Sequence, residues 1–284
     1  MKIAEHRPFL FGVALGGVVG LLAGLAVGSG GLSPLAVAPG SEVDGTPTVA
    51  QPSAGAPPAE SCPVGQVFSR GLTPPWDEGR CIPRPPQAAG SYRLPLEHAD
   101  GVVCTHSPVD DNRGPGNDFT KIGSHAYRNT LFAVDLASPG DVPATVVAAR
   151  PGTVARAFSD CSAPPDATSN VDDCGAGFGN NVVLDHGDGE VSLYAHLTSV
   201  AVAQGQVVGD GTVLGTEGFT GMAGKRHLHF SVNRPDGPLA PSGISSSVPY
   251  SFVVRTMRDG ASSVIAAEDL PCRFDDRTGP LLFR

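Results

Sequence analysis

The sequence predicts an all-β fold, an antiparallel β-sandwich or partly open barrel. Three observations point there. The 284 residues include 37 glycines and 27 prolines, and these cost about 1 and 3 kcal/mol per site inside a helix. Short Val/Leu/Ala-rich runs alternate with turn pairs at intervals of roughly 8–12 residues, as in sandwiches and barrels. No stretch between residues 91 and 272 carries a long helical period.

The elements follow in chain order. Phe9 to Val27 is an unbroken run of 19 apolar or glycine residues, preceded by Lys2 and Arg7. At ~1.5 Å per residue a helix of this length nearly crosses a ~30 Å hydrocarbon layer. Residues 1–30 therefore read as a transmembrane signal anchor with the remainder exported. The alternative is a cleaved signal peptide, with Ala36-Val37-Ala38 as a small-x-small site; Pro39 disfavours cutting there. Residues 31–60 are rich in Gly, Ser, Pro and Ala. They bury too little to fold and read as a disordered linker. Residues 61–90 hold Cys62, Trp76 and Cys81 among prolines, a small disulfide-pinned segment. Residues 91–284 form the main domain.

Within it, strands are expected at 131–136, 144–149, 153–158, 181–185, 190–196, 206–208, 213–215, 227–232 and 250–256. Turn signals separate them: Pro151-Gly152, Gly187-Asp188-Gly189, Gly209-Asp210-Gly211 and Pro235-Asp236-Gly237. Residues 160–178 read as an excursion between strands. The tail from residue 260 reads as mostly loop.

Charge narrows the function. Lys and Arg number 19 against 28 Asp and Glu, a net charge of −9. An acidic chain without a basic stripe repels phosphate backbones, so nucleic-acid binding is excluded. All six cysteines lie beyond the apolar run. An even count on an exported side suggests disulfides. Six cysteines allow 15 pairings; proximity favours Cys62–Cys81 and Cys161–Cys174, which leaves Cys104–Cys272. No Cys-x-x-Cys spacing supports a thiolate zinc site.

The histidines carry the chemical signal. In His227-Leu228-His229-Phe230, alternate strand residues share a face, so both imidazoles point one way. Such a pair can bind a metal, or divide ligation from acid–base work, or be a polar surface. In Tyr194-Ala195-His196 the same rule places 192, 194 and 196 on one face. Asp135 stands inside the apolar run 131–136, where a carboxylate is costly unless paired or metal-bound. His125, ten residues upstream, is by itself an ordinary loop histidine.

The order of these blocks resembles the lysostaphin-type, or β-lytic, zinc metallopeptidases that cleave peptidoglycan cross-links. The likeness runs from about residue 124 to 233. It takes in 143–154, Gly179 through Gly189, Tyr194-Ala195-His196-Leu197, Gly205-Gln206-Val207-Val208, Gly218-Phe219-Thr220-Gly221 and His227-Leu228-His229-Phe230. The resemblance implies a barrel of the duplicated-hybrid-motif type and one Zn²⁺ held by His125, Asp135 and His229. It implies that His196 and His227 act on the water and the scissile amide. It implies peptidoglycan peptides as substrate, a place in the bacterial cell envelope, a membrane link through the N-terminal helix (or secretion if that segment is cut), and leaves a regulatory protein partner open.

Two departures stand out. The compact family motif has His four residues before the Asp, where this chain has Leu131. His125 is therefore carried as the ligand, with His106 as fallback. Lys225-Arg226 precede His227 where a small residue or Pro is usual, and read as a solvated turn. His186 reads as a structural residue of its hairpin. The Leu131 departure also feeds a second reading, an inactive member that binds peptidoglycan or activates another hydrolase. A third, a carrier-type β-barrel module, lacks the lysine at a hairpin tip that such a module presents.

Overall fold

The computed structural model describes residues 62–69, 80–109, 125–162, 170–171, 173–237, 245–255, 262–273 and 276–283. The expected signal anchor and linker, residues 1–60, lie outside them, as do Ser124 and Trp76. Among the described residues no helix is long and apolar enough to cross a membrane.

The described chain is all-β, and each of the nine expected strands has a counterpart. In the largest sheet the strands run Val207–Val208, Gly152–Phe158, Asn180–Asp185, Val191–Leu197, Leu228–Pro235, Val134–Ala137, Val102–His106 and Leu281–Phe283; Ser245–Ser247 pairs the far end of Leu228–Pro235. A second sheet orders Ser199–Val200, Val213–Thr216, Thr145–Val147 and Leu96–Glu97. A third joins Ser262–Ala266, Ser251–Arg255 and Ser91–Arg93, and its last pair is parallel, unlike the expected all-antiparallel pattern.

One apolar core lies between these sheets. The large sheet contributes Leu184, Tyr194, Phe230 and Val232, the second Val146 and Leu214, and the third Tyr92 and Phe252. Aromatic rings meet edge to face, with Tyr194–Phe230 centroids at 5.2 Å and Tyr250–Phe252 at 5.2 Å. Burying one such side chain stabilises the fold by about 1.5–3 kcal/mol. This core sets the alternation of the Leu228–Pro235 strand. Leu228, Phe230 and Val232 enter it, so His229, Ser231 and Asn233 occupy the other face.

Three disulfides form, Cys62–Cys81, Cys161–Cys174 and Cys104–Cys272. The last closes a loop with a sequence separation of 168. By the chain-entropy account such a loop is worth about 5 kcal/mol.

One expectation needs correcting, and one gains detail. The tail is not mostly loop. Ser262–Ala266 pairs Ser251–Arg255, and Leu281–Phe283 pairs the Val102–His106 strand. The partner of Leu281–Phe283 is far away in sequence, so no local turn signal announces that strand. The segment 61–90 contains a hairpin, Gln66–Ser69 with Arg80–Pro83. Its Val67 packs with Leu131 and Phe132 in a small separate cluster. Leu131, which stands where the compact motif has a histidine, is thus a packing residue.

Candidate active site

The site is a row of side chains across one face of the large sheet. Asp135 pairs directly with His229 on one side and His106 on the other, and His229 pairs with Ala195 beyond. Neighbouring strands lie about 4.8 Å apart, so residues in register on one face come together. Asp135 Oδ1 meets His125 Nε2 at 3.2 Å and His229 Nδ1 at 3.0 Å. Its Oδ2 meets His106 Nδ1 at 3.3 Å and His227 Nε2 at 3.6 Å. His196 completes the group, its ring centroid 4.8 Å from that of His227 and 5.8 Å from that of His229. All five sequence-predicted residues, and the fallback His106, are therefore together. Every one except His227 is classed as buried.

Backbone carbonyls fix the ring tautomers. His125 Nδ1–H donates to the Ser107 carbonyl at 2.9 Å, His196 Nδ1–H to Thr220 at 2.8 Å, and His227 Nδ1–H to Lys225 at 2.7 Å. A carbonyl only accepts, so in each neutral ring Nε2 carries the lone pair. For His125 that lone pair faces a carboxylate oxygen. Two acceptors facing each other need a cation between them, or a proton. Burial, and then the neighbouring His106, push the His125 pKa down to about 4, with Asp135 offsetting part of the shift. The protonated alternative is thus disfavoured near neutral pH, and a metal cation fits the donor set.

The spacing agrees. A tetrahedral zinc with bonds of ~2.0–2.1 Å sets its donors about 3.3 Å apart, close to the 3.0 and 3.2 Å observed at Oδ1. A second grouping, His106, His125 and Asp135, also brings three donor atoms within 4.8 Å of one another. Ring orientation favours His229 over His106 as partner of His125. His106 and His125 are stacked, 4.0 Å apart and 12° from parallel. Lone pairs lie in the ring plane, so stacked rings aim side by side. His125 and His229 meet at 74°, and their lone pairs can converge.

Charge is managed by the same groups. Burial opposes ionisation of Asp135, but the His227 and His125 imidazoles and the His106 bond together hold its carboxyl well below the usual range. His196 is pushed well below its ordinary value by burial and then by His227 and His229. It stays neutral, with Nε2 able to accept a proton.

The placement of His196 corrects the alternation rule. Tyr194 faces the core, its hydroxyl accepting from Ala149 N at 2.8 Å. His196 faces the opposite side. The pairing of Asn180–Asp185 with Val191–Leu197 slips between Asn180 and Val182, and His196 adopts φ 63°. This bulge adds a residue and turns the imidazole over to the row of donors. Gly179 and Gly221 allow the surrounding loops to approach. A Cβ on Gly179 would lie 2.2 Å from the Thr220 carbonyl oxygen, and one on Gly221 would lie 2.3 Å from Gly179 N. The left-handed backbone at His196 costs a non-glycine residue about 1–2 kcal/mol. His196→Gly should therefore unfold at a higher temperature than His196→Ala by an amount worth about 1 kcal/mol, although both lack the ring. Equal or reversed stabilities in thermal unfolding would contradict the bulge.

Sequence reasoning missed one member of the neighbourhood. Glu217 is fully buried and accepts from Ser138 N, Ser138 Oγ and Ala144 N. It also meets Arg226 at 3.6 Å and Arg277 at 3.1 Å. Arg226 is thus no solvated turn residue. A fully buried carboxylate requires a counter-charge, and Arg226 supplies part of it. His186 is a structural residue, tying Ser192 of its own hairpin at 3.0 Å to the Pro151 carbonyl, just before the neighbouring Gly152–Phe158 strand, at 2.8 Å.

Residues 131–241 match the sequence pattern of Peptidase family M23. That span, less than half of the chain, is similar to an M23 peptidase domain. The matched span contains Asp135, His196, His227 and His229, while His106 and His125 lie upstream of it. Curated relatives include the DD-carboxypeptidase/endopeptidase Mpg of Neisseria meningitidis, 38% identical over 73 residues, which is 26% of this chain and 17% of Mpg. The peptidoglycan DD-endopeptidase ShyB of Vibrio cholerae is 37% identical over 86 residues, 27% of this chain and 20% of ShyB. The likeness thus spans a fifth or less of either relative. Among solved structures, the catalytic domain of a mutant prophage-encoded M23 protein, EnpA from Enterococcus faecalis, is 20% identical at a TM-score of 0.35, covering 52% of this chain and 90% of that one. Lysostaphin from Staphylococcus simulans is 20% identical at 0.32, covering 55% and 48%.

Proposed function

We propose that this chain is a zinc-dependent endopeptidase that hydrolyses peptide cross-links of bacterial peptidoglycan. The observation that carries the reading is the buried Asp135 carboxylate facing two imidazole nitrogens, from His125 and His229, on one oxygen. His125, Asp135 and His229 would hold the metal, and His106 would steady the second carboxylate oxygen. A ligand carboxylate held in this way is a common outer-shell arrangement. Zinc, when bound, supplies a Lewis acid and lowers the pKa of water toward ~7.

The chain's own residues supply the rest. His196 and His227 present Nε2, and the carbonyls of Thr220 and Lys225 hold their rings in that tautomer. One neutral imidazole takes the proton from the attacking water and returns it to the leaving amine. The other, held in the same tautomer, can donate from Nε2 to the developing oxyanion only in its protonated, imidazolium form. The activities for which the curated relatives are named, DD-endopeptidase in particular, support the substrate class.

The wider architecture follows the same reading: a duplicated-hybrid-motif barrel at 91–284 with its catalytic core at 124–233, a signal anchor at 1–30, and a tether at 31–60. That arrangement places the domain in the envelope, membrane-linked, or free if the anchor is cut. The alternative of an inactive peptidoglycan-binding member drew on Leu131. His125 supplies the donor that Leu131 lacks, so the active reading is preferred.

Metal analysis of the purified chain tests it. The wild type is expected to hold about one zinc, and His125→Ala to lose it. Zinc unchanged in His125→Ala would move the ligand assignment to His106. Cross-linked muropeptides should be cut by the wild type and left whole by His227→Ala. If both leave them whole, the enzyme reading fails.

A further inference from the structure

The C-terminal segment lies beyond the residues that match the M23 pattern, yet it reaches the candidate active site. Among the described residues Arg277 donates to the Gly140 carbonyl at 2.8 Å, the Arg226 carbonyl at 2.6 Å and Glu217 Oε1 at 3.1 Å. Gly140 follows the Asp135 strand, and Arg226 precedes His227. A single guanidinium therefore joins the exit of the Val134–Ala137 strand to the entry of the Leu228–Pro235 strand. Arg226 runs beside it, donating to Gly140 O at 2.6 Å and Ser138 Oγ at 3.2 Å. The segment is itself anchored, because Cys272 is bonded to Cys104 and Arg273 N donates to the Cys104 carbonyl at 3.0 Å.

The bond to Arg226 matters most. Its carbonyl and the His227 N–H belong to one planar peptide unit. The N–H donates to Gly218 O at 2.9 Å, and the C=O accepts from Arg277. That plane is held at both edges, and the His227 Cα takes its direction from it. Without the Arg277 bond the plane can swing about its N–H contact and carry the imidazole with it. A misplacement of about 1 Å at a reacting group can cost ~100-fold in rate.

We infer that Arg277 is a positioning residue for His227, acting through the Arg226–His227 peptide plane. The inference rests on the reading of His227 as catalytic. Glu217 retains Arg226 and three hydrogen bonds in an Arg277 variant, so the fold is expected to survive.

The test compares Arg277→Ala and Arg277→Lys with the wild type in the full chain. Arg277→Ala should lower kcat on cross-linked muropeptides by about 10–100-fold. KM should stay within about twofold, and zinc content should not change. Lysine has no forked guanidinium with which to hold two carbonyls together, so Arg277→Lys should lie between. Guanidinium ion at low millimolar concentration should restore part of the Arg277→Ala rate. In the metal-free chain, hydrogen exchange of the His227 amide should quicken while the Val191–Leu197 strand stays protected. Wild-type kcat and His227 exchange in Arg277→Ala would overturn the inference. So would faster exchange throughout the sheet with no rescue by guanidinium, since that marks a general loss of stability. If the wild type cuts nothing, the peptidase reading fails on its own, and His227 exchange still decides whether Arg277 holds the plane.

Discussion

Asp135→Asn is expected to leave the purified chain with less than about a tenth of the wild-type zinc and to lower kcat/KM by at least ~1000-fold. The size follows from the geometry. Both carboxylate oxygens are engaged, Oδ1 by His125 and His229 and Oδ2 by His106 and His227. Without that carboxylate the two ligand histidines, His125 and His229, would offer only neutral donors to a dication. Loss of metal removes several kcal/mol of transition-state stabilisation, and every ~1.4 kcal/mol is tenfold in rate.

A linked effect appears in the metal-free protein. The folded Asp135 carboxyl is held below its ordinary value of 3.8. Its contribution to stability is therefore present above pH ~4 and is lost as the pH falls further. Asp135→Asn should lack that acid limb in thermal unfolding. Zinc content and muropeptide turnover near wild type in Asp135→Asn would remove Asp135 from the site.

His227→Ala and His196→Ala should separate chemistry from metal binding. Each is expected to lower kcat by about 10²–10⁴-fold, the usual range for a positioned acid or base, while zinc stays bound. His196 should also be the less tolerant of Gln replacement, because its ring is buried. The two rings are neighbours, with centroids at 4.8 Å, and would act on the same reacting centre. The double variant should therefore fall well short of the product of the single losses. Metal analysis beside single-turnover cleavage checks this. Zinc loss in either single variant would make that residue a ligand instead.

The sequence made the strands legible where local rules act. Pro-Gly and Asp-Gly turns bracket the strands that end at Asp185 and begin near Val191, and the alternation in Leu228-His229-Phe230 gives the right faces. Asp135 stood out because a charge interrupts apolar residues. Three features escaped for one physical reason, that their causes are not local. His196 breaks its alternation through a bulge against Asn180–Asp185. Arg226 is drawn inward by Glu217, nine positions earlier in the sequence, and met by Arg277 far downstream. The Leu281–Phe283 strand exists because Val102–His106 offers it an edge. His106 lay within reach as a fallback only; its place beside Asp135 comes from strand register.

The Cys104–Cys272 bond also imposes a timetable. The sulfur beside the His106 strand emerges from the ribosome 168 residues ahead of its partner. At roughly 5–20 residues per second the delay is on the order of 10–30 s. Through that interval the domain's longest crosslink cannot exist, and Arg277 follows later still. Completion of the candidate site therefore waits on Cys272 and Arg277, made well after the strands that carry its histidines.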